Sequence, residues 1–559
     1  MTTSSTDVLT VGAAPLISAC CREIRLAEMV NEMVRWDREQ WSVSPGDLLV
    51  AMIVNLLIDR APLFRIRDFY QNRDLDLIFG PGKMTLEALN DRHFGVLLER
   101  LFEANPEQVY HSLTASAVMV HQVDLKSLHS DTTSKSVQGA YDYPVEVGGF
   151  KIAQGHSKDH RPDLKQFLYG LIVSEGVPVA GKVMDGNKSD KAWNREIIEE
   201  LARYLSPKIA QQMLYVADSA MVTPGSLNNA SDRIKFVTRL PETYKLVQQL
   251  KQEALIRNQW EFVGPLNAAK DAAVYKFVES TATLYERTYR FLVVHSSALA
   301  AKKKVTQQRR IEKEKEKLQT ACLALQKQEF ACEPDAQAAW NSFLHQHRDA
   351  YHQFIGEVYE QQRKKKRDGR GRPSADDVAE FETVWKVACR VGPVKEEKAQ
   401  EELREDQMFI LMTNELDPST LPGRDMLIRY KGQITVETRF RWLKDPTVVK
   451  QVWLNTPNRV MALGFVFLIG LLIYCLMERR IRKNLSAGNK AIRLQGNRLS
   501  KKPTAMAFLQ LFTDIVVMWS VDAQGNVSRK LPGRYSTPEL SQALQIAGFD
   551  IDLYTNLPE

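Results

Sequence analysis

Three carboxylates stand out among the 68 acidic residues by where they fall along the chain. Asp131 closes the alternating segment VHQVDLKSLHSDTTS and is followed by Thr132, Thr133 and Ser134. Asp218 ends the short apolar run in QQMLYVADSAMVT. Glu437 falls in a stretch that reads as one helix, on a face shared with Tyr430, Gln433, Arg441 and Lys444 at spacings of four and seven. An acid at the tip of an apolar strand is costly near a core unless it is paired or bound to metal. Two such acids converging with a helix acid would form an oxygen cage for one or two divalent cations. Two-metal phosphoryl transfer needs that cage to activate the attacking oxygen and stabilise the leaving one. By spacing alone, Asp131 and Asp218 read equally as turn caps.

The neighbouring charges suit a phosphate backbone. His156, Lys158, His160, Arg161 and Lys165 make a positive strand-loop between the first two acids. The two histidines lack a nearby third ligand, so a metal site built on them is a weak reading. Lys444 follows Glu437 by seven residues and shares its face, although a surface lysine would look the same. Trp385 and Trp442 could stack on an unpaired base, but burial in a core is the commoner role.

The elements that must carry these residues are alternately strand-like and helical. A β-rich segment leads to Asp131, and QFLYGLIVSEGVPVAGKVMDGN splits at Glu175-Gly176 as a hairpin. The amphipathic segment DKAWNREIIEELARYL follows, then the Asp218 strand, a further helix and the strand IKFVTRLP. That order describes a mixed α/β sheet flanked by helices. The expected organisation is an N-terminal helical domain over 1–118 and a first part of the core over 119–250. An insertion domain over 251–405 holds strands and long charged helices. The second part of the core, 406–478, carries the Glu437 helix and an apolar helix, and 479–559 is a basic C-terminal region. In the insertion, Ile311, Leu318 and Leu325 fall seven apart, which suits pairing with a second helix near Ala338–Gln362. The run Arg363–Pro373 is a basic, glycine-containing loop, equally a solvated tip or a nucleic-acid contact.

Composition narrows the classes. With 44% hydrophobic and 26% charged residues the chain is not of a disordered type. Its net charge of +7 permits a polyanionic partner without demanding one. The nine Lys/Arg of Arg479–Lys502, with no acid among them, are the most one-sided stretch. Six cysteines form no C-x-x-C pair, which fits a reducing compartment and argues against a cysteine-ligated metal. No basic start followed by an apolar core opens the chain, so no secretory signal is expected. Val460–Met477 is uncharged and long enough to span a membrane, yet a fully buried core helix reads the same way.

In ordered blocks the sequence resembles the DDE transposases of bacterial insertion sequences, whose core is RNase-H-like. The blocks are DTTS with Asp131, GHSKDHRPDLKQF (Gly155–Phe167), GKVMDGNKSD, YVADSAMVT with Asp218, and FVTRLP. One branch of that family carries Y-x2-R-x3-E-x6-K, and here Tyr430, Gln433, Glu437 and Lys444 stand at those spacings. Gln433 replaces the arginine of the pattern, and Arg429, Arg439 or Arg441 is expected to supply the missing charge. The resemblance covers roughly residues 15–545.

It implies that Asp131, Asp218 and Glu437 are catalytic and bind two magnesium ions, with manganese able to substitute. It also implies that Tyr430, Gln433, Lys444, Arg439, Arg441, Lys158, Arg161 and Lys165 contact DNA. The activity implied is cleavage at the element's terminal inverted repeats and joining of the 3′ ends to target DNA, by a homodimer, with a DNA hairpin at the excised ends. The apolar run becomes a buried helix following the Glu helix, with no membrane, and the setting implied is the bacterial cytoplasm and nucleoid. A repurposed DNA-binding protein without chemistry, or a nuclease without strand transfer, would carry much of the same sequence.

Overall fold

The computed structural model describes residues 5–142, 149–204, 212–230, 233–267, 269, 271–365, 380–445, 454, 456–522, 524 and 526–558. Pro446 and all but the first three residues of the basic run Arg363–Pro373 lie outside the described residues. The chain forms two compact units. One comprises Met1–Thr238, Thr413–Leu421 and Asp425–Glu559, and the other Arg239–Met412 and Pro422–Arg424.

In the first unit, β1 (Ser5–Thr10) pairs antiparallel with the strand Val516–Val521. The N- and C-terminal stretches therefore meet in one small sheet. The buried pair Arg529–Asp74, at 2.6 Å, ties the same two stretches together. The helices Pro45–Ile58, Asp91–Glu103 and Pro106–His121 pack on the apolar helix Pro457–Ala487. That helix is apolar on every side because protein covers every side: Phe465, Leu468, Ile469, Leu471, Leu472, Ile473 and Cys475 are fully buried. Its two glycines mark the closest approaches. A Cβ at Gly464 would lie 3.0 Å from Val183, and one at Gly470 would lie 2.6 Å from Leu56. Length and hydropathy would allow the helix to cross a membrane, but 83% of its apolar window is buried inside the protein.

The main sheet of this unit contains β2 (Ser127–Val137), β3 (Lys165–Ser174), β4 (Val177–Met184), β5 (Leu214–Ala217) and β6 (Lys235–Arg239), in the order β4-β3-β2-β5-β6. β2, β3 and β4 run antiparallel, whereas β5 lies parallel to both β2 and β6. Three antiparallel strands followed by two parallel ones, entered through a crossover helix (Asp190–Tyr204), make the mixed α/β arrangement of an RNase-H-like sheet. The β3–β4 connection is a two-residue turn in which Glu175 and Gly176 both take positive φ, 48° and 78°. That geometry matches the twist of the flanking strands and needs a residue like Gly176.

In the second unit, β7 (Glu261–Pro265), β8 (Val274–Leu284) and β9 (Arg287–Ser296) form an antiparallel meander. The helices Ser297–Gln326 and Glu333–Gln346 pack on a long hairpin of β10 (His352–Lys364) and β11 (Phe381–Val394). Cys322 and Leu325 meet Trp340, Phe343, Val387 and Cys389 in a separate small core. The second helix ends at Gln346, so much of the stretch expected as helix, Ala338–Gln362, is strand instead. The reason is a period of two: Phe354 and Val358 pack against this core, while Ile355 and Tyr359 on the other face stay exposed. Gly356 permits the contact, since a Cβ there would lie 2.8 Å from the Trp340 ring.

Candidate active site

Parallel pairing of β2 with β5 sets the first two acids level. Leu128 pairs with Tyr215 and His129 with Val216, so two residues further on Asp131 and Asp218 occupy matching positions, Asp218 just past the end of β5 and Asp131 within β2, which runs on to Val137 instead of ending at the acid. Strand spacing places such residues roughly 5 Å apart at the backbone. Asp218 caps the short turn Ser219–Met221 by accepting from the Ala220 N–H at 3.2 Å. Asp131 accepts from the Thr132 N–H at 2.7 Å. Asp218 is therefore a true turn cap, whereas Asp131 is held within the strand.

Another acid lies beside them. Asp190, in the first turn of the crossover helix, accepts a hydrogen bond from the Thr132 hydroxyl. The Lys158 ammonium bridges the group. It lies 3.1 Å from Asp190 and 3.8 Å from Asp131, and donates to the Thr132 carbonyl at 2.8 Å. Trp193 fixes this helix on the sheet: it is buried, donates to Ser130 Oγ at 3.0 Å, and lies over Gly170, the partner of Thr132 on β3. Any side chain at position 170 would collide with its ring, since a Cβ would stand 2.7 Å away. The role of Asp190 is hidden in the sequence because an acid in the first turn of an amphipathic helix already has an ordinary explanation.

The helix carrying Glu437 is shorter than expected. Two helices, Gly423–Lys431 and Ile434–Lys444, replace the single one, so Tyr430 and Glu437 do not share a continuous face. The break falls at Gly432, where the backbone presses on His129 so closely that a Cβ would lie 2.7 Å from the imidazole. On both sides of the break, the chain tracks β2 rung by rung. Arg429 donates to Ser127 Oγ at 2.7 Å, Gln433 to the Ser130 carbonyl at 2.7 Å, and Lys135 to the Leu443 carbonyl at 3.4 Å. Ten helical residues and five strand residues cover similar distances, roughly 15 and 16 Å. Glu437, one turn after Gln433, therefore stands about level with Asp131 and Thr132. Side chains alternate along a strand, so Asp131 faces the same side as His129, the side these helices cover.

The remaining expected contacts separate into three groups. Arg441 is exposed, and Arg161 is exposed in an ion pair with Asp163 at 2.7 Å. Lys444 pairs with Asp159, and Lys165 is held by Asp142 and the Ala140 carbonyl, both half-buried. Arg439 is buried, paired with Glu478 at 2.9 Å and donating to the Gly176 carbonyl at 2.8 Å. It serves the interior instead of facing a phosphate, because an acid at the end of the apolar helix needs a cation beside it. Trp442 is likewise buried. Of the basic stretch Arg479–Lys502, Arg479, Arg480 and Arg482 are committed to Glu175, Glu23 and Glu478. Gln433, in place of the pattern's arginine, acts as a backbone anchor.

Burial, more than any neighbour, pushes the Asp131 carboxyl up to about 6; Lys158 and the Thr132 N–H oppose the rise, and Asp218 and Asp190 add to it. Asp218 is also raised, first by burial and then by Asp190. Two carboxylates held close together against their own ionisation fit a divalent cation in kind. The third ligand is not assembled: among the described residues, no three His, Cys, Asp or Glu side chains gather closely enough to hold an ion. Because the folded chain holds the Asp131 proton more tightly than the unfolded chain, native stability falls as pH rises from about 4 to 6. In EDTA, Asp131→Asn is expected to exceed the native protein in stability by about 1–3 kcal/mol at pH 7.5, the gain vanishing below pH 4. Urea unfolding at both pH values measures it.

A family described as a domain of unknown function (DUF4277) matches residues 6–115, the N-terminal helical stretch. No curated protein matches the chain. Among solved structures, the chain is similar to a chain in the cryo-EM structure of the piggyBac transposase synaptic complex with hairpin DNA. That likeness has 9% identity and a TM-score of 0.38 over 89% of this chain and 80% of that one. Agreement at that level leaves the chemistry to be argued from this chain's own residues.

Proposed function

We propose that this chain is a DDE-type DNA transposase that cleaves at the terminal inverted repeats of an insertion sequence and joins the 3′ ends to target DNA. One observation carries the reading. Asp131 and Asp218 stand level on adjacent parallel strands, and the Glu437 helix is pinned alongside β2 at the same height. Asp131, Asp218 and Glu437 would hold magnesium, or manganese in its place, which would supply Lewis acidity at the scissile phosphate. Lys158 balances the charge of the acids before substrate arrives. Arg441, Tyr430, Lys444, Arg161 and Lys165 would hold the DNA backbone. Hydrolysis would free a 3′-hydroxyl, which would then attack a target phosphodiester in line. Joining two element ends to one target is work for a homodimer, and the reading places the protein in the bacterial cytoplasm.

The unassembled third ligand favours a second reading, a repurposed DNA-binding protein that has lost the chemistry. A labelled duplex carrying the element's terminal repeat, incubated with purified protein and magnesium, separates the two. Metal-dependent nicking followed by joining, lost in Glu437→Gln with binding retained, is the expected result. Binding without cleavage by the native protein would establish the second reading. Cleavage that survives Glu437→Gln would remove Glu437 from the site.

A further inference from the structure

Lys191 and Arg195 stand one turn apart on the Asp190 helix, both exposed. With Ser189, Ala192, Thr223 and Gly225 they line a cavity of about 370 Å³. Two like charges at this spacing repel each other, and the helix offers a remedy that it does not use. Glu199 lies four residues beyond Arg195, the spacing of a helical ion pair, yet it accepts instead from Asn229 at 2.7 Å. Glu196 is engaged by Lys182 and Lys188, Glu200 by Lys182, and Asp190 by Lys158. Among the described residues neither Lys191 nor Arg195 makes an ion pair. The acids of this helix are thus committed to other partners, and Lys191 and Arg195 border an open cavity.

The cavity adjoins the candidate active site on both sides. Ser189 and Lys191 flank Asp190, and Thr223 and Gly225 lie on the segment that leaves Asp218. We propose that Lys191 and Arg195 hold a backbone phosphate of the DNA strand next to the one presented to Asp131 and Asp218. This rests on the transposase reading. A polymer suits the place better than a free ion. The nearby carboxylates repel a lone anion, whereas a strand held elsewhere delivers its phosphate at high effective concentration.

The test is binding of the full chain to a short labelled duplex of arbitrary sequence, in EDTA, between about 50 and 200 mM KCl. Native protein is compared with Lys191→Gln/Arg195→Gln, whose exposed side chains leave thermal unfolding unchanged. The slope of log K against log salt is expected to become shallower by about 0.9, roughly a three- to fourfold smaller loss of affinity over that range. An unchanged slope overturns the assignment of the cavity. If inorganic phosphate at constant ionic strength erases the difference between the two proteins, the site belongs to the free ion and the DNA assignment falls. A native chain that does not bind duplex even at the lowest salt overturns the DNA reading as a whole, which the other outcomes leave standing.

Discussion

Glu478→Ala is expected to destabilise the first unit by about 3–5 kcal/mol, read from urea unfolding at neutral pH. The Arg439 and Glu478 side chains are only 8% and 2% exposed, so removing the carboxylate leaves a guanidinium in the core without its counter-charge. Glu478 also accepts from Arg482 at 3.0 Å and from the Ala505 N–H at 3.3 Å, and both contacts vanish with it. The double replacement Arg439→Met/Glu478→Leu is the informative companion. Removing both charges together is expected to cost less than 1 kcal/mol or to stabilise, because neither ion then has to be kept out of water. A double variant as unstable as the single one would show that packing, not charge, governs this position. Because Arg439 is two residues from Glu437, the single variant should also loosen the Glu437 helix against β2.

The second large effect concerns chemistry. On the proposed function, Asp218→Asn is expected to lower the rate of strand cleavage about a thousandfold or more, the equivalent of roughly 4 kcal/mol of transition-state stabilisation. Duplex affinity in EDTA should stay within about twofold, since the side chain faces the acid cluster and phosphate contacts, not this carboxylate, carry binding. Asparagine can still accept the Ala220 N–H that Asp218 caps, so the turn survives and the loss isolates the charge. Cleavage at the native rate in Asp218→Asn would remove this residue from the reaction.

The sheet was legible because its signals are local. Alternation in β2, the Glu175-Gly176 turn and the amphipathic segment after Asp190 each announce themselves within a dozen residues. Asp218 was visible as an acid closing an apolar strand; Asp131 was visible as an acid too, but its strand runs on to Val137, and parallel pairing sets the two level. What the sequence could not show depends on contacts between distant residues. The break at Gly432 arises because His129 crowds the backbone there, and no helical periodicity reports a neighbour about three hundred positions away. Arg439 looked like a phosphate ligand because its charge is plain and its burial is not. Its true partner is the lone acid that follows an uncharged run, a sign that a cation must come from somewhere. Asp190 was disguised by the respectable habit of acids at helix starts.

The ladder that joins β2 to the Glu437 helix has a consequence for how this molecule tolerates change. Height along the sheet is set by Arg429, Gln433 and Lys135, all close to the residues they align. It is not set by the length of chain that separates Asp218 from Glu437. Lengthening a connection adds only slowly to the entropy of closing it. The second unit can therefore vary in size and design, or be exchanged, while the acids keep their heights. Adding one residue between Gln433 and Glu437 is another matter, because it turns the carboxylate about 100° around the helix and off its face. Such a protein is permissive over a long insertion and intolerant over four residues, a combination that lets a lineage rebuild its periphery without resetting its centre.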